Sequence, residues 1–150
     1  MKKLFLLVYL IILSSFFIGC SETEVSMHDG IYSAEMEDYS HGWKEFITVT
    51  VKNNKIVSVE YNAKNASGFI KSWDNAYMKN MNSVSGTYPN KYTREYANQL
   101  LEKQIDTKID MITGASSSGN NFKLLAKGVI QRAKEGNTSI IKVKGENKEK

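Results

Sequence analysis

The chain has 150 residues, of which 20 are Lys or Arg and 16 are Asp or Glu, giving a formal net charge of +4. Because Lys2 and Lys3 lie in an export signal, 18 basic residues remain against 16 acidic ones, and none forms the basic stripe typical of nucleic-acid binding. Two His residues and one Cys provide no zinc cluster, no His/Cys dyad and no C-x-x-C-H haem motif.

Residues 1–19 have the pattern of a lipoprotein signal peptide. Two lysines form a positive start, residues 4–17 are almost wholly apolar, and Gly19 precedes the single cysteine, Cys20. This apolar stretch is shorter than the ~20 residues of a membrane-spanning helix. We therefore expect cleavage before Cys20 and lipid on its sulfur, which would anchor the protein at the extracytoplasmic face of the cell membrane. An uncleaved anchor is the alternative.

After a lipidated tether, residues 20–28, the sequence predicts one small domain, residues 29–144. Partial alternation of β-branched and aromatic residues with polar ones predicts three strands. These strands cover residues 30–36, 45–51 and 55–62. Asn53-Asn54 tolerates positive φ and predicts a tight hairpin between the second and third strands.

Apolar residues at helical spacing predict two helices after the strands. The first begins at about Asp74, and the second runs from Pro89, which suits a first helical position, to about Lys103. The predicted inner face of the first helix consists of Trp73, Tyr77, Met81 and Val84. The predicted inner face of the second consists of Tyr92, Tyr96, Leu100 and Ile105.

A third helix is predicted from about Ser117 to Lys134, and Gly136 ends it. Its buried face is expected to consist of Phe122, Leu125, Ala126, Val129, Ile130 and Ala133. Residues 138–143 predict an edge strand, and the charged residues 145–150 predict a disordered tail. The expected fold class is α+β, a small twisted antiparallel sheet with packed helices in a single domain.

The most informative segment is residues 110–116, Asp-Met-Ile-Thr-Gly-Ala-Ser, which leads into the third helix. The apolar residues within 109–112 predict a short strand, and Gly114 permits a tight turn or the close approach of a ligand. Residues 116–118, all serines, offer cap side chains and unpaired N–H donors at a positive helix end. Such a place suits a phosphate. Phosphate-loop, dinucleotide-binding and G-x-S-x-G hydrolase motifs are absent from the sequence.

The pattern D-x-x-[ST]-G-A-[ST] before a helix resembles the acceptor signature of the FMN-binding domain family. The resemblance spans residues 28–136 and follows the membrane-anchored lipoprotein branch of that family, the "major membrane immunogen" type. Its matching segments are 29–32, 41–46, 49–59 and 121–126. In this family a flavin transferase uses FAD and Mg²⁺, joins FMN through its phosphate to the last Ser or Thr of the motif, and releases AMP. The acceptor here would be Ser116, a serine where threonine is commoner.

The resemblance implies FMN as the cofactor and transfer of electrons from a membrane donor to an external acceptor. It implies a carrier more than a turnover enzyme, with no catalytic residue and no metal ligand in the chain. Asp110 would cap the turn or orient the incoming hydroxyl and the metal-bound phosphate. The implied cofactor-binding residues are Asp110, Thr113, Gly114, Ala115, Ser116, Ser117 and Ser118.

His41 and Trp43 lie at the start of a strand, where a ring could stack on the flavin. The competing interpretation is a core aromatic at a hairpin end beside a solvated histidine. Four tyrosines are expected in the core and its rim, namely Tyr77, Tyr88, Tyr92 and Tyr96. Two rival functions stay open, an FMN reductase acting on a small substrate and a cofactor-free surface lipoprotein for adhesion or ligand capture.

Overall fold

The computed structural model describes residues 26–145. The predicted signal peptide, Cys20 and most of the charged tail lie outside the described residues. The described elements, in chain order, are β1 (Gly30–Met36), β2 (Lys44–Lys52), β3 (Lys55–Lys64), a 3-10 turn (Lys71–Trp73), α1 (Asn75–Ser85), α2 (Pro89–Lys103), α3 (Ser116–Glu135) and β4 (Ile141–Val143). The predicted single α+β domain is confirmed, and most predicted boundaries fall within two residues of these.

The four strands form one sheet in the order β3-β2-β1-β4. β2 pairs antiparallel with both β1 and β3, and the predicted hairpin between β2 and β3 is confirmed, since Asn53 and Asn54 have φ values of 52° and 61°. The predicted edge strand is also present, but it pairs parallel with β1, which makes the sheet mixed. The crossover helix α3 returns the chain along β1, and this connection produces parallel pairing.

Helices α2 and α3 cover one face of the sheet, and the core lies between them and the strands. Alternate side chains of β2, at positions 45, 47, 49 and 51, are buried on that face. All six residues predicted for the inner face of the third helix are buried. The helix ends at Gly136, whose φ of 65° is the left-handed conformation expected of a terminating glycine.

The predicted inner face of the first helix is wrong in part. Trp73 is 66% exposed and Val84 is 80% exposed, and α1 contains no buried residue. Among the described elements, α1 makes its main contacts with the 3-10 turn and does not lie on the sheet. Ile105 is also exposed, because α2 ends at Gln104, which has a φ of 60° and turns the following chain away.

The predicted strand at 109–112 is wrong as well. Its backbone groups bond to side chains of α2 and not to a neighbouring strand: Gln99 Oε1 accepts from the N–H of Asp110 at 2.7 Å, and Tyr96 Oη accepts from the N–H of Ile112 at 3.0 Å. The segment is therefore an extended link held by α2.

Candidate functional site

The turn before α3 requires glycine at position 114. Gly114 has a φ of 80°, and a Cβ there would lie 2.5 Å from the carbonyl oxygen of Ser85 and 3.1 Å from Cγ2 of Thr87. The N–H of Ala115 donates to the carbonyl of Ile112 at 3.0 Å and closes the turn. The predicted tight turn is therefore present, and it packs closely against the C-terminal end of α1.

The hydroxyl of Tyr96 holds this turn from α2. It accepts a hydrogen bond from the N–H of Ile112 at 3.0 Å and donates one to the carbonyl of Ala115 at 3.1 Å. Gly119, in the first turn and a half of α3, allows this approach, because a Cβ there would overlap the Tyr96 hydroxyl and lie 2.5 Å from Sδ of Met111. The turn that leads into α3 is thus held in place by α2.

Helix α3 begins without a capping side chain. Its N-cap residue is Ala115, which makes no side-chain cap, and its first turn holds no acidic residue. The N–H groups at the start of α3 have no partner within the helix, and they form the positive end of a 20-residue helix. The prediction that Ser118 caps this end is wrong, because its hydroxyl donates to Oε1 of Glu45 at 2.6 Å.

A cavity of about 210 Å³ opens at this end of α3. The start of β2, the 3-10 turn, and one side each of α1 and α2 form its other walls. The residues around it are Ser40, His41, Trp43, Glu45, Lys71, Tyr77, Met81, Tyr92, Gly114, Ala115, Ser116, Ser117, Ser118 and Asn121.

One wall of the cavity combines aromatic rings with a cation. The rings of Trp43 and Tyr77 meet edge to face with centroids 6.1 Å apart, and Nζ of Lys71 lies 5.8 Å and 4.9 Å from those centroids. Burial lowers the pKa of Lys71, but its interactions with Tyr92, Tyr77 and Glu45 outweigh that effect and leave the pKa raised. Lys71 is therefore a cation at neutral pH.

The opposite charge in the cavity belongs to Glu45, which is only 8% exposed. Burial raises the pKa of this carboxyl, while the hydrogen bond from Ser118, the nearby side chain of Asn121 and the charge of Lys71 oppose the rise. Within the described part of the chain, Oε2 of Glu45 is buried and has no hydrogen-bond partner. Glu45 is thus a buried acid with one oxygen satisfied by the protein.

The structure brings most, though not all, of the predicted site residues to this cavity. Ser116 and Ser117 are exposed at its mouth, and His41 and Trp43 lie on its wall. Asp110 and Thr113 do not line it. The carboxylate of Asp110 points into solvent and pairs with Lys103 at 3.1 Å.

Sequence reasoning missed several of the lining residues. Glu45 could have been found from the sequence, because it belongs to the same alternating set of inward-facing β2 positions as Ile47 and Val49. A charged residue is unusual at such a position. Asn121 carried a local signal too, since it follows Ser117 and Ser118 by four and three residues on α3. Lys71 carried none, because it approaches the cavity through tertiary packing alone. Of the four tyrosines expected in the core and rim, Tyr92 is buried and also lines the cavity.

Neither a metal cluster nor a membrane span is found among residues 26–145. Searching that part of the chain finds no group of three or more His, Cys, Asp or Glu side chains able to hold a metal ion. Over the same residues, none of the helices combines the length and the apolar character needed to cross a bilayer.

Comparison with known proteins places the chain among lipoproteins. No family model matches it. It is 37% identical over 117 residues to the "15 kDa lipoprotein" of Treponema pallidum (strain Nichols), covering 77% of this chain and 83% of that protein. The crystal structure of the CPE2226 protein from Clostridium perfringens is similar at 38% identity and a TM-score of 0.76, covering 80% of this chain and 99% of the other. The chain belongs to the same lipoprotein family as the 15 kDa lipoprotein of Treponema pallidum.

Proposed function

We propose that this lipoprotein is anchored through Cys20 at the extracytoplasmic face of the membrane and carries FMN covalently bound to Ser116. Its role is to pass electrons between a membrane donor and an external acceptor. The observation that carries the proposal is the position of Ser116: its exposed side chain begins an uncapped 20-residue helix at the mouth of a cavity with a cationic aromatic wall. The resemblance to the FMN-binding domain family points to the same residue.

The residues present fit the two parts of FMN. The free N–H groups at the start of α3 and the ammonium of Lys71 are the donors that a phosphate takes. Trp43 and Tyr77 supply aromatic surface for a planar ring. A cavity of about 210 Å³ is smaller than the roughly 300–1,000 Å³ that encloses a drug-sized ligand, so part of the ring would stay outside, where a redox partner can approach.

Covalent attachment suits an exported carrier, because a flavin released outside the membrane diffuses away. When bound, FMN supplies one- and two-electron chemistry, and the protein supplies binding and orientation. The attachment reaction would form a phosphoester bond between Oγ of Ser116 and the FMN phosphate, break the pyrophosphate bond of FAD, and release AMP. Ser116 is exposed and can be reached by the transferase that this reaction requires.

The position of the cavity also supports an external acceptor. The chain enters the domain at His28, whose N–H donates to the carbonyl of Ala133 at 2.8 Å, near the C-terminal end of α3. Ser116 lies at the other end of this 20-residue helix, a distance of roughly 30 Å at 1.5 Å per residue. The cofactor would therefore sit at the pole of the domain away from the lipid.

The test is intact mass and in-gel flavin fluorescence of the protein made with and without an active flavin transferase. Wild type should gain the mass of FMN less one water, keep its fluorescence after denaturation, and be yellow. Ser116→Ala should lose the adduct because a phosphoester needs the hydroxyl oxygen, and Ser116→Thr should retain it. Ser117→Ala, a matched change at the next exposed serine, should label normally.

Two outcomes would overturn this assignment. An adduct that persists in Ser116→Ala and maps to a neighbouring serine would move the attachment site. A colourless wild-type protein that neither labels nor binds FMN would favour the cofactor-free surface lipoprotein.

A further inference from the structure

Glu45 has a buried carboxyl oxygen that the protein leaves without a donor. We propose that Glu45 is the residue that selects the ring of the bound ligand, with Oε2 accepting a hydrogen bond from a ring N–H of the flavin. This inference rests on the proposed function, since it assigns the ring-binding group of the same cavity.

The unpaired carboxyl oxygen of Glu45 has an energetic cost. Glu45 occupies an inward position of β2 between the sheet and α3, where Ile47 and Val49 are apolar. A buried acceptor without a partner lowers stability, and most buried polar atoms in proteins are paired. The Ser118 hydroxyl satisfies Oε1 and leaves Oε2 without a donor in the described part of the chain. Glu45 lines the cavity, so a ligand bound there is in a position to supply the donor that Oε2 lacks.

The negative charge of Glu45 restricts which part of the ligand it can contact. A carboxylate and a phosphate are both anionic acceptors, so they repel each other and neither can donate a hydrogen bond to the other. The cavity therefore has two chemically distinct parts, the start of α3 with Lys71 for the phosphate and Oε2 of Glu45 for a donor. The polar groups around this carboxyl that favour its charged form are Ser118 and Asn121 of α3, Lys71 of the 3-10 turn and Tyr61 of β3.

The flavin ring carries a hydrogen-bond donor of the kind that this oxygen lacks. An oxidised isoalloxazine has one ring N–H, the imide N3–H, so a single acceptor is sufficient to recognise it. A hydrogen bond between this N–H and a carboxylate would be charge-assisted, which is stronger than a bond between neutral groups. The aromatic surface of Trp43 and Tyr77 borders the same cavity and accommodates a planar ligand.

The experiment measures the affinities of three probes for the full chain made without transferase. The probes are riboflavin, which has the imide N–H but no phosphate, 3-methylriboflavin, which lacks that N–H, and inorganic phosphate. Binding of the flavins is followed by fluorescence quenching, and binding of phosphate by calorimetry. The variants are Glu45→Gln and, as a matched control, Glu60→Gln at an exposed position of β3.

Wild type and Glu60→Gln should bind riboflavin about 10- to 100-fold more tightly than 3-methylriboflavin, the range expected for one charged hydrogen bond. Glu45→Gln should discriminate between the two flavins several-fold less than wild type, because the neutral amide oxygen that it retains accepts a weaker hydrogen bond than a carboxylate does. Its affinity for phosphate should be unchanged or higher, since the substitution removes a negative charge from the cavity.

Equal affinities of wild type for the two flavins would overturn the inference, and this comparison needs no variant. A ratio of riboflavin to 3-methylriboflavin affinity that is as large in Glu45→Gln as in wild type would also overturn it, because the methyl group would then be excluded by the shape of the cavity. Either result alongside normal FMN attachment at Ser116 refutes the role of Glu45 alone. If riboflavin does not bind and FMN is not attached at Ser116, the proposed function is refuted and the inference with it.

Discussion

The hydroxyl of Tyr96 offers a sharp test of how the cavity is built. Tyr96→Phe removes the acceptor for the N–H of Ile112, while the carbonyl of Ala115 keeps the bond from the N–H of Gly119 at 2.9 Å. The stacking of ring 96 on Phe122, with centroids 5.5 Å apart, is retained. The loss is therefore one hydrogen bond and one partly buried donor left unpaired, which we expect to lower the free energy of unfolding by about 1–3 kcal/mol.

The second expected effect is on the site. Because the lost bonds hold the turn that begins α3, Tyr96→Phe should also slow flavin attachment at Ser116. The matched control is Tyr32→Phe, which likewise removes one buried hydroxyl, here donating to the carbonyl of His28 at 2.9 Å near the other end of α3. Urea unfolding gives the stability of both variants, and the initial rate of fluorescent labelling gives attachment.

The control should lose a similar amount of stability and label at the wild-type rate. If the two variants label equally well, the Tyr96 hydroxyl does not position the acceptor. If Tyr96→Phe unfolds like wild type, the N–H of Ile112 has found another partner and the two bonds do not fix the turn.

Three further predictions concern the core, the anchor and the buried acid. Leu125→Ala should destabilise the fold by about 2–5 kcal/mol, whereas Lys127→Ala on the outer face of α3 should change little, and equal shifts in Tm would refute the helix phase. Cys20→Ser should move the protein out of the membrane fraction or leave it unprocessed, and mature membrane-bound mutant would contradict lipidation. Because burial raises the pKa of Glu45, the folded chain holds its proton more tightly than the unfolded chain does, so stability should fall as pH rises above about 4.5. Glu45→Gln should lessen that fall in urea unfolding measured across pH.

The parts of the fold that the sequence predicted are those encoded locally. Alternation along β2, the Asn53-Asn54 turn and the apolar stripe of α3 each depend on neighbours within a few residues. The inner face predicted for α1 was wrong in part. The spacing of apolar residues indicates which residues share a helix face but not whether the sheet packs against that face. The parallel pairing of β4 likewise depends on the path of the whole crossover.

The same distinction applies to the site. The turn at Gly114 and the start of α3 were predictable because glycine and the following helix pattern are local signals. Asp110 does not line the cavity, because Gln99 holds its backbone N–H and Lys103 pairs with its exposed carboxylate. Lys71 lies in the 3-10 turn, about forty residues before the segment 110–116, and no sequence spacing connects it with that segment.

The start of α3 is consistent with the proposed phosphate site. A Ser, Thr, Asp or Asn at an N-cap stabilises a helix by about 0.5–2 kcal/mol over alanine, yet this long helix has Ala115 there. Three serines follow immediately, and one of them, Ser118, is bonded to Glu45 instead of the helix end. The protein thus forgoes an available stabilisation and leaves the N–H donors and positive charge of α3 facing the cavity. A structural helix end gains nothing from this arrangement, whereas a phosphate on Ser116 would use it fully.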